Sequence, residues 1–263
     1  MTAPAASLPA RRGGMSLWRL EWLRLIRTPR ALALGLVFVV IGLVEPVFTR
    51  YENDLLGHVG GGVRVTMPTP APADGVNSYV TEVTLIGLIL VVAFAAGALS
   101  FDTRRGLATF LRTRAGSIWQ LVIPRFAVNA LAAVAAYVLG TLAAWYETGV
   151  LIGALPTGAM FAGMLCGVVY FTLAVAVAAF AASWVRSTIG SVGVALGILL
   201  LLPAVSVVKP IANWLPSALV NAPVDLVNAT ESLTHFVPAL MVSLFATVVA
   251  LLASGRLLAR REI

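Results

Sequence analysis

Lysine occurs once in this 263-residue chain, cysteine once and histidine twice. A single cysteine, Cys166, closes no intrachain disulfide, and inside an apolar run it reads as a packed small hydrophobe. His58 and His235 stand alone, with no second ligand at metal spacing, so no metal site is expected. The one lysine, Lys209, is followed by Pro210, so the phosphate-cradling pattern Gly-x-x-x-x-Gly-Lys-Ser/Thr cannot be written anywhere in the chain. No catalytic or cofactor-binding residue is assigned, and the chain is not expected to be an enzyme. Charged residues make up only 11%, against about a quarter in an average soluble domain. The apolar runs also lack paired carboxylates or a facing Ser–His pair, which argues against an intramembrane enzyme. Glu45, Glu82 and Glu147 sit near run ends, where water reaches them. With no ionisable group near mid-run, an ion-coupled transporter or channel is the weaker alternative.

What the chain has in excess is apolar surface: 60% hydrophobic residues and a mean hydropathy of +0.96. Crossing ~30 Å of hydrocarbon takes about 20 mostly apolar residues as a helix. Six segments qualify, at about 31–48, 80–99, 126–146, 159–182, 188–208 and 237–254. The runs are continuous and rich in Ala and Leu rather than alternating, so helices are expected and barrel strands are not. The fold class is therefore an all-α integral membrane protein. Residues 1–14 are small, basic and rich in Pro and Gly, and read as a disordered tail without the pattern of a cleaved leader. Met1 and Met15 are both possible starts. Residues 15–263 form one transmembrane domain.

Arginine sets the orientation. With the N-terminus inside, fifteen of the eighteen basic residues lie inside and eight of the eleven acidic residues lie outside or at the outer rim. The opposite placement violates the positive-inside bias at nearly every loop. The expected location is the cytoplasmic membrane, multi-pass, with both termini cytoplasmic. The basic pI of about 10.5 is then a topology signal, and no nucleic-acid partner is expected. Three stretches are neither spans nor short turns. Residues 49–79 read as an outer loop rich in Gly and Pro, 100–125 as an inner loop, and 209–236 as an outer segment too apolar for a free loop, broken by prolines into short helices.

Residues 16–32, SLWRLEWLRLIRTPRAL, open the domain. On a helical wheel Trp18, Trp22, Leu25 and Ile26 share a stripe, with Glu21, Arg24 and Arg27 opposite. Tryptophan favours the headgroup zone and arginine favours anionic lipid. The stretch reads as an interfacial helix on membrane lipid that turns at Thr28-Pro29 into the first span; the alternative is that its charges only flank that span. Glycines recur at four-residue spacing as Gly163/Gly167 and Gly193/Gly197, which lets helix backbones approach closely. They serve packing among the six spans or, alternatively, a dimer contact.

The inner loop SFDTRRGLATFLRTRAGSIWQLVIPR interleaves arginine with Phe110, Leu111, Ile118, Trp119, Leu121 and Val122. It reads as helix–break–helix, with the break near Ala115-Gly116-Ser117 and Ser117 placed to cap the following helix. Such a helix either rests on lipid or docks in a groove of a partner. Asp102, Gly106, Phe110, Leu111, Ser117, Trp119, Leu121 and Arg125 fall without a gap on a pattern that resembles the signature of ABC-2-type permeases, the membrane subunits of ATP-driven exporters. Leu107 stands where that family has Thr, and Ala115 where it has Pro. The likeness extends to the layout from residue 15 to 263, including a Pro-broken outer re-entrant segment at Asn213, Trp214, Leu215 and Pro216.

The resemblance implies a permease that exports an apolar or amphiphilic compound, such as a drug, antibiotic or lipid, by alternating access. The loop becomes a cytoplasmic coupling helix whose Asp102, Arg104, Arg105, Gly106, Phe110, Leu111, Arg112 and Arg114 contact a dimeric ATPase subunit. That partner, not this chain, holds ATP and Mg. Six spans are half of the family's usual twelve, so a second permease subunit, identical or different, is implied.

Overall fold

A computed structural model describes residues 17–59, 69–99, 117–207 and 209–260. All regular structure among these residues is helical. Ten α-helices follow in order: α1 (Leu17–Arg27), α2 (Pro29–Val59), α3 (Pro72–Glu82), α4 (Leu88–Leu99), α5 (Trp119–Leu151), α6 (Thr157–Trp184), α7 (Thr188–Val205), α8 (Lys209–Ala212), α9 (Ala218–Val227) and α10 (Val237–Arg260). A π-helical turn, Val83–Gly87, joins α3 to α4, and a 3₁₀ turn, Leu233–Phe236, leads into α10. Six stretches are long and apolar enough to cross a bilayer: Pro29–Glu52, Pro72–Leu99, Trp119–Leu151, Thr157–Trp184, Thr188–Val205 and Leu233–Arg260. The protein is a helical multi-pass membrane protein.

The apolar runs place the spans, but local chemistry sets where the helices end. The expected 49–79 loop is largely helix. Helix α2 continues to Val59, and α3 starts at Pro72. Proline at the first turn gives up an N–H that would be unsatisfied anyway, and the Asp74 carboxylate accepts the Ala71 N–H at 2.7 Å, so the start is fixed from both sides. Helix α5 runs 33 residues, roughly 50 Å at 1.5 Å per residue, so it overreaches ~30 Å of hydrocarbon. Ser117 is not the cap residue expected: α5 begins at Trp119 with Ile118 at the cap position and no side-chain cap hydrogen bond from it. Lacking a polar cap, that start is held instead by the Trp119 ring, which lies so close over Gly255 of α10 that no Cβ fits there.

Helix α6 is the centre. Seventeen of its 28 residues are buried, most of them Ala, Gly and Val, small enough to admit helices α4, α5, α7, α9 and α10 around it. Phe171 binds the aromatic core, edge-on to Phe38 at 5.8 Å and tilted over Tyr137 at 4.8 Å. Helix α7 is peripheral. Only Ser191, Ala195 and Leu199 are buried, a stripe at four-residue spacing facing the bundle.

Candidate functional site

A buried polar cluster forms where α1 lies against the first turns of α5. Glu21 comes from the middle of α1 and Arg125 from two turns inside α5. Arg125 Nε donates to Glu21 Oε1 at 2.7 Å, with the two residues 7% and 4% exposed. Arg24 Nη1 lies 4.0 Å from the other carboxylate oxygen. Asn129, one turn further along α5, donates its amide to the Arg125 carbonyl at 2.7 Å. A charge removed from water is tolerated only when paired and hydrogen-bonded, and here both conditions hold. The arrangement ties α1 to the third span, a few residues after the arginine-rich stretch 104–114 of the sequence.

This overturns one sequence expectation. Glu21 does not share a polar outer face with Arg24 and Arg27; it is the buried residue of α1. A wheel sorts by charge, and a partner 104 positions away is invisible to it. One signal did point there: Glu21 is the only acidic residue before Glu45. Trp18 and Trp22 remain on an exposed side of α1, 51% and 43% accessible, and with Arg19 they border an apolar hollow floored by Ala127, Val128 and Leu131 of α5. Arg24 and Arg27 are exposed. The loop residues Asp102, Arg104, Arg105, Gly106, Phe110, Leu111, Arg112 and Arg114 lie outside the described residues, as does the tail 1–14.

The glycine pairs divide. Gly163 and Gly167, both on α6, pack within the chain against two different helices. A Cβ at Gly163 would collide with the Pro223 backbone of α9, and one at Gly167 with the Tyr137 ring of α5. Around Gly193 and Gly197, nothing comes within 4 Å of an added Cβ. The closest span crossing uses glycines that carry no repeat. Gly42 of α2 meets the Gly140 carbonyl of α5, and a Cβ at Gly140 would stand 2.7 Å from the Phe38 carbonyl oxygen. Among the described residues no three His, Cys, Asp or Glu cluster as metal ligands.

These features define a multi-pass helical membrane protein with a clamped N-terminal helix. No family model matches the chain. The chain is similar to YxlG, an uncharacterized transmembrane protein of Bacillus subtilis strain 168, at 21% identity over 209 residues, 77% of this chain and 80% of that protein.

Proposed function

We propose that this chain is the transmembrane permease subunit of an ABC-2-type exporter, moving an apolar or amphiphilic compound out of the cell on energy from a separate dimeric ATPase. The observation that carries the reading is the loop between the second and third spans. Its residues 102–125 follow the family pattern, and it joins two spans at the end of the bundle where arginine gathers. By the positive-inside bias that end faces the cytoplasm, within reach of an ATPase. The opposite end is called the outer end from here on.

The Glu21–Arg125 clamp supports this reading mechanically. A push on the inner loop reaches α5 through its first turns, and α1, tied at 2.7 Å, moves with it rather than sliding along the surface. The exposed Trp18 and Trp22 favour a seat for α1 at the headgroup level. The open Gly193/Gly197 face of α7 suits a second permease subunit, because small residues permit close helix contact. Rigid rocking of the two halves then gives alternating access.

The test is retention of the ATPase. Apolar anchors supply most of the hold in such interfaces, and each is worth about 2 kcal/mol or more. Replacing Phe110 and Leu111 with Asp is expected to release the ATPase during purification from membranes while the permease still inserts. Full retention of the ATPase by the double variant overturns the assignment.

A further inference from the structure

A cavity of about 480 Å³ opens at the outer end, between the second span, the end of the fifth and the segment that leads into the sixth. Its polar lining includes Asn213 and the hydroxyls of Thr81, Thr84 and Ser206, which donate to backbone carbonyls three or four residues back, and a stripe on α9. Ser217, Asn221 and Asp225 follow one another at four-residue spacing, one side of α9 and its cap, and all three line the cavity. Ser217 is 8% exposed, and its buried Oγ has no hydrogen-bond partner among the described residues. A hydroxyl removed from water without a partner is costly to keep and calls for an explanation. The Asp225 carboxylate takes no hydrogen bond and enters no ion pair among the described residues; Thr230 donates instead to the Asp225 backbone carbonyl.

The facing wall is irregular and mixes Val80, Leu85 and Pro203 with threonine and serine. Thr84 and Leu85 reach the cavity from the π turn Val83–Gly87, where the Leu88 N–H reaches back five residues to the Val83 carbonyl. Such turns recur at functional sites. His235 also lines the cavity, but it is held by Glu231 at 3.0 Å. Lys and Arg are absent from the described lining. Of this lining, the Asp225 carboxylate has no ion pair and the Ser217 hydroxyl no hydrogen bond among the described residues, beside an apolar share of wall and at a volume that suits a small amphiphile.

We propose that this cavity binds a monocationic amphiphile, its ammonium on Asp225 with N–H donors to Ser217 and Asn221, and its apolar body against Val80, Leu85 and Phe236. A neutral apolar molecule leaves the carboxylate unanswered, and an anion meets it with repulsion. The proposal narrows the cargo class of the exporter reading and rests on that reading only for transport; binding stands without it. An ammonium could come from a free alkylamine or from an ethanolamine lipid headgroup. The described lining has no Lys or Arg for the phosphate of the second, and His235 is taken up by Glu231, so the free amine is the better fit.

The test uses the full chain in zwitterionic choline-lipid nanodiscs. A long-chain primary amine carrying a photoreactive diazirine is compared with the matched alcohol, and the labelled peptides are mapped by mass spectrometry. Saturable labelling of 80–85 and 203–236 by the amine is expected, displaced by unlabelled alkylamine, while the alcohol labels lipid-facing surfaces without saturation. Asp225→Asn is expected to weaken amine binding about tenfold and Ser217→Ala less. Identical maps for amine and alcohol in the parent protein overturn the proposal, whether or not the variants fold. So does full saturable labelling in folded D225N. Competition by added ethanolamine lipid assigns the site to a headgroup, and its absence assigns it to a free amine. Labelling that persists where no ATPase co-purifies removes the exporter reading alone, and lost labelling with the ATPase present removes this site alone.

Discussion

Arg125 and Ser217 are about equally buried, at 4% and 8% exposure, and they lie at opposite ends of the bundle. Arg125 has Glu21 at 2.7 Å. Ser217 has no partner among the described residues. The same contrast holds for the carboxylates, since Glu21 is clamped from two arginines and Asp225 from none. Satisfied buried polarity fixes one arrangement and resists change, as a lever arm requires. Unsatisfied polarity beside a cavity carries a standing cost that a ligand can relieve. On the proposed reading, rigidity belongs to the end that holds Glu21 and Arg125, and recognition to the end that holds Ser217 and Asp225.

The sharpest way to break the comparison is to orphan Glu21. Arg125→Met leaves a buried carboxylate facing an apolar side chain, expected to destabilise the protein by about 3–5 kcal/mol. The double variant Glu21→Gln/Arg125→Met is expected to recover much of that loss, because a buried pair exchanged for neutral groups is often near neutral. Thermal unfolding in nanodiscs, together with quenching of Trp22 fluorescence by aqueous iodide, reads both stability and release of α1. If the single variant melts with the parent, the clamp contributes nothing and the rigid-lever argument fails.

Next in size is the crossing that joins the first and third spans. Gly140→Ala puts a methyl 2.7 Å from the Phe38 carbonyl oxygen and the Tyr79 hydroxyl. Backbone has to move, at about 1–3 kcal/mol. Gly193→Ala meets nothing within 4 Å and is expected to leave monomer stability within about 0.5 kcal/mol. Equal losses in the two variants would erase the distinction between the packed and open glycine faces.

The six spans were legible in the sequence because each is a long continuous apolar run, a signal that survives without any knowledge of packing. Their ends were not. The 49–79 stretch read as loop on its Gly and Pro content, yet Pro72 and Asp74 start a helix there, and the polar residues after Arg50 extend α2 beyond its apolar window. Contacts across the chain were least legible. Gly42 and Gly140 lack the four-residue repeat that flags close approach, and the partner of Gly163 proved to be Pro223 rather than another span. Ser217 looks like an ordinary pre-helix serine, and only the fold reveals that its hydroxyl is buried beside a cavity. The arginine asymmetry carries orientation in the sequence alone, since no contact among the described residues bears on it.

A smaller effect tests the cap that follows the Asp225 stripe. Ala229 has φ of 52°, the left-handed region, while Thr230 N–H reaches back to the Asp225 carbonyl at 3.0 Å. Glycine is the usual occupant of such a position, and Ala229→Gly removes a left-handed strain of roughly 1–2 kcal/mol, less the entropy glycine adds to the unfolded chain. A net gain of about 0.5–1 kcal/mol is expected in thermal unfolding. A loss instead would mean that the Ala229 methyl packs usefully.

The smallest expected effect separates the two ends most cleanly, because it has opposite signs for folding and for binding. Burial raises the Asp225 carboxyl above its ordinary value, Glu231 raises it further and His235 partly offsets both. A carboxyl raised on folding holds its proton more tightly in the folded state. Stability therefore falls as pH climbs from the ordinary carboxylate range through the raised value, and stays level above it. Asp225→Asn abolishes that fall, so at neutral pH the variant is expected to melt slightly above the parent and to show a flatter melting profile between pH 4 and 7. The same variant is expected to lose amine binding. A carboxylate kept for folding would give the reverse, a lower melting temperature with binding unchanged. At the other end of the bundle the equivalent change, Glu21→Gln, strips Arg125 of its counter-charge and is expected to cost stability. Measured side by side, the two neutralisations decide whether buried Glu21 holds the fold together while half-buried Asp225 waits for a cation.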